Sequence, residues 1–129
     1  MTLNIQPDIT KIDFSVCELI DDLKKETAVS AEIEFVIKLV CKELLTNILS
    51  YSEASLVNLT SSKEFGNLKI VIDDNGKGFN YDQIINRDVT DDEFIMADGG
   101  RGIFLVREIA KDFSYSPDGR RVEVILNLE

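Results

Sequence analysis

The sequence predicts an α+β fold: a two-layer sandwich of helices on one face of a mixed, mostly antiparallel sheet. Two observations predict it. Apolar residues recur at spacings of three and four through the first third of the chain, and they alternate one by one in the last strand, Val122, Val124, Leu126 and Leu128. Helical patterns come first and hairpin patterns mostly later, an order that segregates the helices to one side of a sheet. The 129 residues contain no repeat, no low-complexity tract and no break in composition, so residues 1–129 are expected to form a single domain.

The first helix is read from Asp8, a side chain suited to capping. It is followed by an apolar stripe of Ile9, Ile12, Val16, Leu19, Ile20 and Leu23. Ser30 opens a second helix, with Glu32 and Glu34 placed to complement its dipole and an apolar face of Ile33, Val36, Ile37, Val40, Leu44 and Ile48. A strand follows at Leu56–Thr60. A turn around Gly66-Asn67 leads into its hairpin partner, Leu68–Ile72. Beyond a polar stretch from Tyr81 to Asp98, Gly99-Gly100-Arg101-Gly102 opens a third helix with Ile103, Val106, Ile109 and Ala110 on one face. A last hairpin runs from Phe113–Ser116 through Pro117-Asp118-Gly119 to Val122, Val124, Leu126 and Leu128.

Composition excludes several chemistries. With 14 Lys+Arg against 24 Asp+Glu the net charge is 14 − 24 = −10, too acidic a balance for a chain that neutralises nucleic-acid phosphates. There is no histidine, hence no Ser-His-Asp or Cys-His nucleophile, no imidazole metal ligand and no phosphohistidine on this chain. No apolar run approaches the ~18 residues that span a bilayer, and Met1–Gln6 lacks the features of a signal peptide. Cys17 and Cys41, each flanked by apolar residues at helical spacing, are read as buried free thiols in a reducing cytoplasm.

Three constellations carry candidate chemistry. On a wheel of ~100° per residue, Val36, Val40, Glu43 and Asn47 fall within roughly 60° of one another, so a carboxylate and an amide continue a stripe that should face the core. Either the helix end emerges into solvent there, or the helix lines a cleft. In a cleft Glu43 serves as a general base and Asn47 as an oxygen ligand for a hard cation such as Mg²⁺. The second is Asp73-Asp74-Asn75-Gly76-Lys77-Gly78 directly after a strand, where glycines permit a sharp turn and close approach of a ligand. A tight Asn-Gly hairpin is the alternative. It is not a calcium loop, with Lys77 and Ile84 at ligand positions, nor a dinucleotide fingerprint, with Tyr81 where a glycine belongs. The third is Gly99-Gly100-Arg101-Gly102, which is either a flexible loop or an anion site at a helix N-terminus.

The ordered set Glu-x-x-x-Asn, Asp-x-Gly-x-Gly and Gly-x-Gly resembles the Bergerat-type ATP-binding fold of the gyrase, Hsp90, histidine-kinase and MutL superfamily. Lys42-Glu43-Leu44-Leu45-Thr46-Asn47 is similar to its N box, and the likeness runs from about Ser30 to Leu128. The chain length and the run from Gly99 to Ile109 resemble the anti-sigma factor serine/threonine kinases.

The resemblance implies ATP and Mg²⁺ as cofactors. Glu43 would take the proton of an attacking hydroxyl, Asn47 would ligate Mg²⁺, and Asp74 would accept from the adenine amino group. Gly76 and Gly78 would pass the base and ribose, Gly100 and Gly102 would offer amides to the phosphates, and residues from about Arg87 to Gly99 would form a lid. Lys77 and Arg101 are the cations inside the boxes, Arg101 being the better placed for a phosphate. The implied partners are an anti-anti-sigma protein of STAS type, a sigma factor and a second copy of the chain, with no nucleic acid and no membrane. The alternatives are a nucleotide-gated binding module with little or no transfer activity, or a stand-alone histidine-kinase-like ATPase domain acting on a histidine in another chain. The acidic surface suits a basic protein partner.

Overall fold

The computed structural model describes residues 1–78 and 100–129, the side chains of residues 100 and 101 excepted. The elements in chain order are β1 (Thr2–Ile5), α1 (Ile9–Glu26), α2 (Ala31–Asn47), a π-helical turn (Ile48–Ser52), β2 (Val57–Glu64), β3 (Asn67–Asp74), α3 (Gly100–Ile109), β4 (Asp112–Tyr115) and β5 (Arg121–Asn127). The strands form one five-stranded sheet in the order β1-β2-β3-β5-β4. All of its described ladders are antiparallel, and the α+β sandwich is as expected.

Local chemistry accounts for the helix starts. Asp8 Oδ1 accepts from the Thr10 and Lys11 amides at 2.9 and 3.2 Å, and Lys24 and Lys25 occupy the carbonyl end of α1. Ser30 Oγ accepts from the Ile33 amide at 3.1 Å, with Glu32 and Glu34 in the first turn of α2. In the β2–β3 hairpin Phe65 and Gly66 both take positive φ (49° and 78°), the two-residue turn whose twist matches the strands.

Alternation along the strands places one face of the sheet against the helices. Leu3, Leu59, Ile72, Val122 and Tyr115 lie side by side across all five strands. The opposite face carries polar pairs, such as Arg121 with Asp73 at 3.3 Å. Ile12, Val16, Leu19, Ile20 and Leu23 of α1 join Ile37, Val40, Cys41, Leu44 and Leu45 of α2 and Val106 of α3 in one core cluster on the inner face. The buried arc of α2 is wider than the expected stripe because α1 and α3 both pack against it.

Four details differ from expectation. Thr2–Ile5 is a strand, pairing with β2 from Thr2↔Thr60 to Ile5↔Val57. β2 begins one residue late and runs on to Glu64. Ile9 is 62 % exposed, and the buried stripe of α1 begins one turn later at Ile12. Cys17 is exposed and Cys41 buried, both free, and burial pushes the Cys41 thiol up to about 12. The expected single domain over residues 1–129 includes residues 79–99, which lie outside the described set. No helix among the described residues is long and apolar enough to cross a membrane.

Leu44 is fully buried where α2 meets the sheet. Leu44→Ala is therefore expected to lower the unfolding free energy by about 2–5 kcal/mol, read from urea denaturation at an unchanged m-value.

Candidate functional site

β3 sets one wall of the site. Its inward positions are Leu68, Ile70 and Ile72, all buried, and the next inward position is Asp74, opposite Val57 in register. An alternating strand thus delivers a carboxylate onto the apolar face of the sheet. Asp74 Oδ1 accepts from Ser52 Oγ at 2.6 Å and from the Gly76 amide at 2.8 Å. Oδ2 is buried and has no hydrogen-bond partner among the described residues. An acceptor left in that state costs of the order of 1–3 kcal/mol or more, so the position calls for a donor from beyond the described residues.

The loop after β3 folds tightly onto the π-helical turn. Lys77 N donates to the Ser52 carbonyl at 2.7 Å, and Gly78 N donates to Ser52 Oγ at 3.0 Å. A Cβ on Gly76 would strike the Ser52 carbonyl and approach the Ala54 nitrogen to 2.8 Å. Gly78, at φ 72°, lies against the Asp118 carbonyl of the β4–β5 turn. In the described structure these two glycines therefore let the chain approach itself. β3 is paired on both edges by β2 and β5, which leaves no room for the alternative of an Asn-Gly hairpin. Asn75 instead accepts from the Ser55 and Leu56 amides at 2.9 and 3.0 Å, pinning the strand entry. Lys77 pairs with Glu53 at 3.1 Å, with both side chains more than half exposed. Such a pair contributes about 0–1 kcal/mol.

α2 forms the second wall. Asn47 is only 2 % exposed, so the helix does not emerge into solvent there, and its Nδ2 is buried without a partner among the described residues. Glu43, one turn earlier, is half-buried. The bare Cα of Gly102 in the first turn of α3 faces its carboxylate, and a Cβ there would collide with Oε2 and stand 2.7 Å from Cδ. Thus Glu43 lies beneath the amide end of a helix, where the dipole favours negative charge. Of the remaining expected site residues, Gly100 begins α3. The Arg101 side chain, and the lid from about Arg87 to Gly99, lie outside the described residues.

Sequence reasoning missed Ser52. On a continuing α-helix, residue 52 would be rotated about 140° away from Asn47. The π-helical turn Ile48–Ser52 closes on i→i+5 bonds and so brings residues five apart toward one face. Glu53 then ends it in the left-handed region at φ 55°. Asp74 had a usable signal, because extending the Leu68, Ile70, Ile72 alternation by one step reaches it.

The family model for the histidine kinase-like ATPase domain matches residues 13–126. The chain belongs to that family. The match spans α2, β3 and the start of α3, the segments that carry Glu43, Asn47, Asp74 and Gly102. Among solved structures, the Acinetobacter baumannii histidine kinase AdeS superposes with a TM-score of 0.53 at 15 % identity, over 100 % of this chain and 68 % of that one. At that identity the likeness establishes the fold. No curated protein matches the chain.

The β4–β5 turn that backs Gly78 has its own electrostatics. Hydrogen bonds from Ser116 Oγ (2.6 Å) and the Arg120 amide (3.0 Å) to Asp118 Oδ1, together with the Arg120 guanidinium, hold the Asp118 carboxyl down at about 2. A depressed folded-state value means a contribution present above the ordinary carboxylate range and lost as pH falls through the folded value. Asp118→Asn is expected to be less stable than the wild type at neutral pH. In denaturant titrations at stepped pH, the gap should close between about pH 4 and pH 2.

Proposed function

We propose that the chain is an ATP-binding serine/threonine protein kinase domain of the anti-sigma type. Its acceptor would be a Ser or Thr of a STAS-type anti-anti-sigma protein, and a sigma factor would be the protein it sequesters. The observation that carries the nucleotide reading is Asp74 Oδ2, a buried acceptor with no donor among the described residues, which the amino group of adenine complements. Family membership supports the same ligand. The kinase branch rests on the resemblance of the run Gly99–Ile109.

The residues present fit Mg-ATP. Asn47 offers an amide oxygen, the donor class a hard cation prefers, from a buried position, while its Nδ2, without a partner among the described residues, is a hydrogen-bond donor suited to a phosphate or carbonyl oxygen. The amides that begin α3 at Gly100, Arg101 and Gly102 offer phosphate donors at a helix N-terminus. The side chains of Arg101 and Lys77 would contribute positive charge, Lys77 by leaving Glu53. When bound, Mg-ATP supplies the transferable phosphoryl group, and positioning with charge neutralisation provides most of the acceleration. Glu43 is the proton acceptor for the incoming hydroxyl, since the chain has no histidine to serve. Its place one turn before Asn47 puts base and metal ligand on one helix face.

The test mixes the protein and Glu43→Ala with labelled Mg-ATP and a candidate STAS protein. The expected result is label on a partner Ser or Thr, reduced about 10²–10⁴-fold in the variant. Nucleotide affinity should be nearly unchanged, and at 100 times Kd Mg-ATP should stabilise either protein by about 2.7 kcal/mol. Stabilisation without transfer in the wild type would point instead to a nucleotide-gated binding module. Absence of both would refute the nucleotide reading.

A further inference from the structure

Ser52 belongs to none of the motifs that mark the site, yet its hydroxyl is the side-chain group that contacts Asp74. Ser52 is fully buried. A hydroxyl carries one proton and two acceptor positions. The Gly78 amide donates to Ser52 Oγ at 3.0 Å, so one acceptor position is filled and the single proton is directed to Asp74 Oδ1, 2.6 Å away. With the Gly76 amide also donating to Oδ1, one oxygen of the carboxylate has two donors and the other has none among the described residues. Two donors on a single oxygen fix the rotation of the carboxylate. The result is an acceptor-only oxygen aimed by its neighbours.

We propose that Ser52 is a positioning residue that fixes Asp74 Oδ2 as the reader of an exocyclic amino group on the bound purine. The preference for a 6-aminopurine over one lacking that donor would then depend on a residue outside the glycine boxes. The inference rests on the nucleotide reading above and adds to it a specificity determinant. The π-helical turn is the means, since it places Ser52 on the Asn47 side of the helix, and the bare Cα of Gly76 allows the two segments to close.

The experiment measures binding of ADP and of purine riboside 5′-diphosphate, which lacks the 6-amino group, to the wild type, Ser52→Ala and Ser52→Cys by calorimetry. The wild type should prefer ADP by about tenfold or more, the scale of a hydrogen bond to a charged acceptor. In Ser52→Ala the preference should fall to about threefold or less. Ser52→Cys, close in shape with only a weak donor, should lie between, and it carries the comparison if the alanine variant fails to unfold cooperatively. A role confined to packing would weaken both ligands equally, so an unchanged ratio in the variants overturns the proposal while leaving nucleotide binding intact. A wild type that binds both ligands equally overturns it as well, by removing the amino-group contact. A wild type that binds neither defeats the nucleotide reading itself.

Discussion

The hydrogen bond from Ser52 to Asp74 joins the end of the central helix to the end of the central strand, and the geometry of the site depends on it. A carboxylate at the inward position of β3 would otherwise sit unsupported at the margin of an apolar core, at a cost of several kcal/mol. The chain answers on one oxygen only, with the Ser52 hydroxyl and the Gly76 amide. Everything nearby follows from bringing those donors within reach. α2 changes pitch at Ile48, Glu53 turns left-handed, and two glycines allow the β3 loop to lie against the π-helical turn on one side and the β4–β5 turn on the other.

The same constraint explains why one helix carries so much of the candidate chemistry. α2 is packed between α1 and α3 over the sheet, so its last turn is positioned by apolar contacts on several sides before any polar group is considered. Glu43 and Asn47 occupy that turn. Asn47 Nδ2 and Asp74 Oδ2 are both buried without partners among the described residues, and Glu43 fills the space that a Cβ on Gly102 would need. Native cores rarely retain such groups. In a chain that belongs to a family of ATPase domains, such groups mark the ends of α2 and β3 as the candidate ligand site.

Much of this was legible in the sequence for identifiable physical reasons. Asp8 and Ser30 were read as caps because the amides they serve are two or three residues away, a purely local relation. The strands of the later hairpins were read because a half-buried sheet enforces alternation, as at Val122, Val124 and Leu126. What stayed hidden was non-local or broke a period. β1 is four residues long and acquires its strand character only by pairing with β2, more than fifty residues on. Cys17 has apolar neighbours at helical spacing but falls on the outer side of α1, and a three-and-four pattern does not fix which flank of the stripe meets the sheet. Ser52 escaped because the helical wheel assumes 100° per residue, and the π-helical turn departs from it where the site is built. Lys77 sits inside a glycine box yet pairs outward with Glu53.

The central claim is that the polar end of α2 is kept for a ligand at the expense of the unliganded fold. Asn47→Leu tests it directly through the unfolding free energy of wild type and variant, each measured with and without Mg-ATP. The account predicts that the unliganded variant is at least as stable as the wild type, since an unpartnered buried amide is replaced by an apolar group of similar size. It also predicts that Mg-ATP no longer stabilises the variant. A variant that is less stable on its own, yet gains as much from Mg-ATP as the wild type does, would contradict it.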